Sequence, residues 1–261
     1  MVKPKKKSKP PTAAELEERA AAAETAVRAR VWIELLSHGT PAQKEEAAAC
    51  FCLGGSLPCY VFCPSVISSP LPWLLEAIAP LVALLAPTCT QMQKHLASSA
   101  LLSLASNPVN IFEAREQTIV DQIVAAGGIS ASIGLLREGL TDQIKQSAAG
   151  ILQYCACKHQ YRTTIALAGG AQALLVLARE GNCKQKEYAA MALGALCFGH
   201  SDNQSMIAKG GGVEILSCLA GEGEPLQKLA ASRALQLLVG ISKNDDQPGR
   251  KRKAGGRRRK R

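Results

Sequence analysis

The chain has few aromatic residues, which limits how its interior can be built. Phe, Trp and Tyr make up 4% of the 261 residues, whereas hydrophobic residues as a whole make up 47%. The core is therefore expected to consist of Leu, Ile, Val and Ala, which suit closely packed helices. Four histidines are present, and we expect them near helix ends or surface turns, without a shared catalytic partner. They are His38, His95, His159 and His200.

Motifs of nucleotide binding and nucleophilic catalysis are also missing. The sequence contains no nucleophile elbow and no Walker motif, and a phosphate-binding loop would need a preceding strand that the pattern does not predict. The segment CACKH, with Cys155, Cys157 and His159, lacks the paired spacing of a zinc site. We therefore expect no enzyme activity, no catalytic residue, no metal, no cofactor and no small-molecule substrate.

An apolar leader is lacking after the N-terminal charges, so the ten cysteines are expected to be reduced thiols. Cys155, Cys197 and Cys218 fall at apolar-periodic positions, where a free cysteine packs as a small hydrophobe. Residues 57–75 carry no charge and have the length of a membrane span, but four prolines interrupt them. We expect an irregular insertion there and no membrane span.

Acidic residues are absent from residues 1–11 and 250–261, and the whole chain has a net charge of +10. Residues 3–9 hold five lysines and residues 250–261 hold nine Lys or Arg, so the remaining residues carry a net charge of −4. Basicity is thus confined to two tails, 1–11 and 241–261, which we expect to be disordered. The predicted targeting or nucleic-acid-binding residues are Lys5, Lys6, Lys7, Lys9, Arg250, Lys251, Arg252, Lys253, Arg257, Arg258, Arg259, Lys260 and Arg261.

Such clusters of Lys and Arg are typical of nuclear localisation signals and of segments that contact RNA or DNA. They indicate an import receptor as one partner of the tails. They predict location in the nucleus or nucleolus, with the cytoplasm as the alternative.

The strongest positive signal is an internal repeat of 42 residues. A glycine pair occurs three times at this constant step, and the tripeptide REG or GEG follows each pair after an apolar run. Two weaker copies lie upstream, at 32–49 and 77–106. A period between about 20 and 50 residues indicates stacked units, so we predict about five repeats within residues 12–240. The glycine pairs are Gly127-Gly128, Gly169-Gly170 and Gly211-Gly212.

Glycine divides each unit into three predicted helices. In the clearest copy a short helix ends at Gly169-Gly170, a second spans 171–181, and a longer third spans 183–199. Glycine adopts the left-handed conformation after a helix without the cost of about 1 kcal/mol that a Cβ brings. The third helix carries Ala and Leu at spacings of three and four, which predicts an amphipathic helix that approaches its neighbours closely.

Residues 28–240 resemble the armadillo repeat. The resemblance rests on the pattern aGG-I-x-x-L-x-x-LL followed by x-x-AA-x-A-L-x-x-L, and it is strongest in the last three copies. It implies an all-α fold, a right-handed superhelix of three-helix units whose third helices line a concave groove for extended peptides or partner proteins. HEAT repeats, the neighbouring class, have two helices per unit and lack the glycine pair.

The resemblance also identifies positions in the groove. Armadillo proteins that carry nuclear cargo place Trp and Asn four residues apart on their third helices, and no such pair occurs at the matching positions here. Those matching pairs are Ser99/Ser103, Ala149/Gln153, Met191/Ala195 and Arg233/Leu237. The predicted groove residues are Ser99, Ser103, Gln146, Gln153, Tyr188, Met191 and Arg233. Tyr188, Met191 and Arg233 are the best candidates, because large amphipathic or planar side chains carry binding energy at interfaces.

The sequence favours a nuclear interaction scaffold that holds a protein or peptide partner in the groove. An alternative is an RNA-associated factor that acts through its basic tails, with affinity that falls steeply with salt. A nuclear import adaptor is a third hypothesis, which the missing Trp–Asn pairs disfavour.

Overall fold

The computed structural model describes residues 27, 29–52, 72–106, 118–138 and 140–245. All regular structure within these ranges is helical, as the sequence predicts. Residues 57–71 of the predicted insertion, the tail 1–11 and residues 246–261 lie outside the described residues. The chain divides into two compact units, Met1–Cys155 and Ala156–Arg261.

The unit Met1–Cys155 contains the second and third helices of two repeats, followed by a complete three-helix repeat. Within it, α2 packs against α4, and α3 packs against α4 and α5. The third helices of the repeats are α2, α4 and α7, and the last two residues of α7 belong to the second unit. The helices are α1 (29–38), α2 (Pro41–Cys52), α3 (Pro72–Ala83), α4 (Gln91–Ala105), α5 (Ile119–Ala125), α6 (Gly128–Arg137) and α7 (Asp142–Cys157).

The unit Ala156–Arg261 contains two complete three-helix repeats. Its helices are α8 (His159–Leu167), α9 (Gly170–Glu180), α10 (Cys183–Cys197), α11 (Ser201–Lys209), α12 (Gly212–Glu222) and α13 (Pro225–Asp245). In each repeat the second helix packs on the third, and the two third helices, α10 and α13, pack on each other. The last helix continues to Asp245, beyond Gly240, where the sequence pattern ends.

The two glycines of each pair meet different requirements. Gly127, Gly169 and Gly211 have φ angles of 87°, 84° and 82°, as predicted for the turn that follows a first helix. The second glycine of a pair has no room for a side chain. A Cβ on Gly212 would lie 2.6 Å from both Cγ2 and the carbonyl oxygen of Ile207. The pair therefore brings the first and second helices of a repeat into close contact.

Alanines line the contacts between the helices. Alanines at matching positions of the third helices lie in the core, where the short side chain lets helix backbones approach. Leu and Ile side chains fill the remaining space, which confirms the predicted aliphatic interior. Solvent does not reach Ala148, Ala149, Ala189, Ala190 or Ala231.

Two of the three cysteines expected in the core lie there. Cys155 and Cys197 are buried, and burial raises the pKa of Cys197 to about 12. The prediction is wrong for Cys218, which is exposed and donates from Sγ to Oε2 of Glu222 at 3.6 Å. The buried side of α12 is formed instead by Ile215, Leu216 and Leu219.

Candidate functional site

The N-cap residue that precedes a third helix fixes which side chains of that helix are exposed. In α10 the N–H of Asn182 donates to Oε1 of Gln185 at 2.9 Å, and Oδ1 of Asn182 accepts the N–H of Gln185 at 3.0 Å. This reciprocal capping box satisfies N–H groups that the helix leaves without a partner. The same contact from the N–H of the cap to a glutamine occurs at Thr40–Gln43, Thr90–Gln93 and Glu224–Gln227.

The capping glutamine also reaches the preceding repeat. Nε2 of Gln227 donates to the carbonyl oxygen of Cys183, the first residue of α10, at 2.6 Å. Nε2 of Gln93 donates likewise to the carbonyl of Pro41, the first residue of α2, at 3.3 Å. We call this contact the glutamine tie, formed by Gln93 and Gln227. It aligns the starts of successive third helices and thereby the side chains they present.

Counted from the caps, equivalent positions of α10 and α13 form one exposed surface. The two helices pack on each other, and a Cβ added to Gly194 would lie 3.5 Å from Cβ of Ala234. Lys184 and Leu226 lie two residues after the cap, and Met191 and Arg233 lie nine residues after it. All are exposed, as is Leu229 between them. We call this surface the α10/α13 face: Lys184, Met191, Leu226, Leu229 and Arg233.

The α10/α13 face combines apolar area with charge. Met191, Leu226 and Leu229 are 40%, 56% and 49% exposed. Nζ of Lys184 lies 2.9 Å from Oε2 of Glu187, one helical turn away, and this hydrogen bond raises the pKa of Lys184. Arg233 is exposed and forms no ion pair among the residues that the structure describes.

The predicted groove residues do not all lie at exposed positions. Met191 and Arg233 lie on the α10/α13 face, whereas Tyr188 is half-buried. Gln153 is 7% exposed and belongs to the interior, so its prediction as an open groove residue is wrong. Ser99, Ser103 and Gln146 are half-buried.

The error at Gln153 is a register shift of one residue. The turn before α7 reads REGLT, one residue longer than the REGN before α10. Thr141 occupies the position of Asn182. The carbonyl of Thr141 accepts the N–H of Lys145, four residues on, just as the carbonyl of Asn182 accepts the N–H of Lys186. Counting from Thr141 places Gly150 and Tyr154, and not Ala149 and Gln153, at the predicted pair of positions.

The third helices of the first unit contact each other through a pair of serines and also carry an exposed methionine. Oγ of Ser99 lies 3.4 Å from Oγ of Ser147, so this predicted groove residue contacts the next third helix. Met92, two residues after the cap of α4, is 54% exposed and corresponds to Lys184 and Leu226. Met92 adds a third repeat in which this position is open to solvent.

Sequence reasoning missed the exposed Leu226 and Leu229 of the α10/α13 face. They lie three residues apart at the start of α13, and their spacing alone matches a buried stripe. The cap supplies the signal that was available. Gln227, three residues after Glu224, marks the buried side of the helix and leaves both leucines outside.

Arg162 is a second residue that the pattern did not reveal. Its Nε donates to the carbonyl of Ala156 at 2.8 Å, and its terminal nitrogens donate to those of Phe198 at 2.6 Å and Cys157 at 3.0 Å. Burial lowers the pKa of Arg162, while the Cys157 thiol opposes that shift. Arg162 therefore holds the C-terminal ends of two helices, a structural role that depends on which carbonyls meet in space.

Two histidines are closer than the sequence predicts. The rings of His159 and His200 have centroids 4.4 Å apart and are inclined by 40°. Both residues lie at the start of a helix, His159 as its first residue and His200 as an N-cap, and the sequence pattern did not predict their contact. Across the described ranges, no three or more His, Cys, Asp or Glu side chains are placed together to hold a metal ion.

Two further predictions concern a membrane span and the basic tails. In the part of the chain that the structure describes, no single helix is long and apolar enough to cross a membrane. The bent pair α5 and α6, at 73° to each other, meets the criteria of length and composition only when taken together. The basic residues predicted for targeting, 5–9 and 250–261, lie outside the described residues.

The solved structures with a similar fold include designed armadillo repeat proteins and an engineered protein. A designed armadillo repeat protein in complex with the peptide (KR)4 is 18% identical, with a TM-score of 0.65 over 86% of each chain. Computationally designed armadillo repeat proteins for modular peptide recognition are 17% identical, with a TM-score of 0.64 over 87% of this chain and 94% of theirs. An engineered protein is 21% identical, with a TM-score of 0.67 over 88% and 87%. No protein-family model and no curated protein matches the chain.

Proposed function

Because this chain has an armadillo-like repeat fold, we propose that it is an interaction scaffold that binds a protein or peptide segment on its third helices. The exposed apolar side chains of the α10/α13 face carry this proposal. Met191, Leu226 and Leu229 are exposed on two helices that pack on each other, although the same helices bury most of their other apolar residues. Contiguous exposed apolar side chains are typical of surfaces that bind other molecules.

The structural neighbours support peptide binding as the mode of interaction. One is complexed with a peptide, and others were designed for modular peptide recognition. They are scaffolds and not enzymes, which fits our proposal that this chain has no catalytic activity.

The basic tails support two further parts of the proposal. Their dense Lys and Arg clusters match the composition of nuclear localisation signals, so we place the scaffold in the nucleus. The same clusters favour RNA contact as the second candidate function, because a chain of positive charges releases counterions from phosphates. The two roles are compatible, since one tail can serve both.

A peptide selection with matched variants tests the scaffold function. Dodecapeptides are selected on the full chain, and their affinity is measured for Met191→Ser/Leu229→Ser and for Leu167→Ser/Val176→Ser. The second pair removes exposed apolar side chains from α8 and α9. We expect the first pair to weaken binding by roughly tenfold or more and the control pair to have little effect. Both should retain the melting temperature, and equal losses of affinity in the two pairs would contradict the proposal.

A further inference from the structure

We propose that the α10/α13 face binds a segment in which large apolar side chains lie next to Asp or Glu. This inference rests on the proposed function and adds the chemistry of the partner.

The apolar half of the partner follows from the leucines. Leu226, Leu229 and Arg233 have spacings of three and four residues, so they share one side of α13. Met191 lies on α10 at the position that corresponds to Arg233. The two helices pack on each other closely enough that a Cβ added to Gly194 would lie in van der Waals contact with Ala234. An apolar side chain bound on this surface would cover residues of both helices. It would bury the exposed parts of the Met191, Leu226 and Leu229 side chains, which make up about half of each.

The acidic half of the partner follows from the charges. Lys184 is already paired with Glu187 at 2.9 Å, so these two charges largely cancel. Arg233 has no ion-pair partner among the described residues. It shares one side of α13 with Leu229 and occupies the position on α13 that matches Met191 on α10. A carboxylate on the bound segment would complement this guanidinium, which forms two parallel hydrogen bonds with such a group.

The same charges argue against two other occupants. Residues 250–261 at the end of this chain hold nine Lys or Arg and no acidic residue, so they would place like charge next to Arg233. A basic peptide such as the (KR)4 bound by the designed neighbour meets the same repulsion. The acidic partner is therefore favoured.

A charge-reversal experiment tests the inference on the full chain. Peptides selected on the protein are synthesised in two forms, with their acidic residues kept and with the same residues changed to Lys. Affinities of both forms are measured by fluorescence anisotropy for the unmodified chain, Arg233→Glu and Lys228→Glu. Lys228 is exposed on α13 but does not share the side of its neighbour Leu229. Both variants change the net charge equally and keep the tails. Attraction of a peptide to the tails is therefore the same in both and does not affect their comparison.

We expect selected peptides to combine apolar with acidic residues. Arg233→Glu should weaken the acidic form roughly 3- to 10-fold and strengthen the Lys form, whereas Lys228→Glu should change neither by more than about twofold. Selected peptides without acidic residues, or equal effects of the two variants, would overturn the inference. If such peptides still depended on Met191 and Leu229, the proposed function would stand. The inference would also be overturned if no peptide were selected, or if the full chain formed a dimer that Met191→Ser/Leu229→Ser abolished.

Discussion

Two adjacent glycines in each repeat are required for different physical reasons, so they should tolerate different substitutions. Gly211 needs a positive φ, and a side chain there has open space around it apart from contacts at 3.7 Å. Gly212 has an ordinary helical backbone but faces Ile207 at 2.6 Å. The sequence pattern shows only that both are glycine. The structure separates a requirement of conformation from a requirement of space.

Gly212→Ala should lower the free energy of unfolding by about 1–3 kcal/mol, because the added Cβ overlaps backbone that cannot move without shifting α11. Gly221→Ala is the matched control on the same helix, where no atom lies within 4 Å of the added Cβ. The control should raise the free energy of unfolding by about 0.5–1 kcal/mol through helix propensity. Urea unfolding followed by circular dichroism measures both, and a stabilised Gly212→Ala would contradict this account of the packing.

At the scale of the helix, the glutamine tie connects the start of one third helix to the next. Oε1 of Gln227 accepts the N–H of Glu224, and Nε2 donates to the carbonyl of Cys183. One buried side chain therefore satisfies backbone groups of two helices, α10 and α13. Because the exposed side chains follow at fixed distances from the caps, the tie also aligns the α10/α13 face.

Gln227→Leu should lower the free energy of unfolding by about 1–3 kcal/mol at similar side-chain volume, because the N–H of Glu224 loses its acceptor and the carbonyl of Cys183 loses its second donor. Hydrogen exchange should increase first at the start of α13. Gln236→Leu, an exposed position of the same helix, is the control and should have little effect. Equal destabilisation by both variants would show that the hydrogen bonds of the glutamine tie do not stabilise the protein.

At the scale of the whole molecule, charge and apolar surface are located in different parts of the chain. The basic ends hold fourteen Lys or Arg, and the rest of the chain carries a net charge of −4. The exposed apolar side chains of the third helices belong to that remainder. Attraction to phosphate and binding of a peptide are therefore expected to separate when the chain is cut between them.

Deletion of residues 247–261 should abolish nuclear accumulation and weaken RNA binding, because it removes nine positive charges. Peptide affinity should remain, since the α10/α13 face ends at Arg233. Fluorescent fusions report location, and anisotropy with a labelled single-stranded RNA at several salt concentrations reports phosphate contacts. Unchanged nuclear accumulation would contradict a targeting role for this tail. Loss of peptide binding would show that the tail, and not the α10/α13 face, binds the peptide.

The sequence predicted the helices of the second unit well because glycine and aliphatic spacing are local signals. The positive φ of Gly169 and Gly211 and the following helices follow from them directly. Exposure on the third helices was harder to predict, since it depends on neighbours in space. One additional residue before Thr141 moved Gln153 into the interior, and nothing in the period of the glycines recorded that residue.

The glutamine tie has a consequence for how such a chain can change in length. Thr40 and Thr90 are 50 residues apart, whereas Asn182 and Glu224 are 42 apart, yet Gln93 and Gln227 each reach the equivalent carbonyl. The surplus residues are therefore accommodated without loss of that bond. Insertions between successive repeats can accumulate during evolution, or be introduced by an engineer, while the third helices keep their alignment.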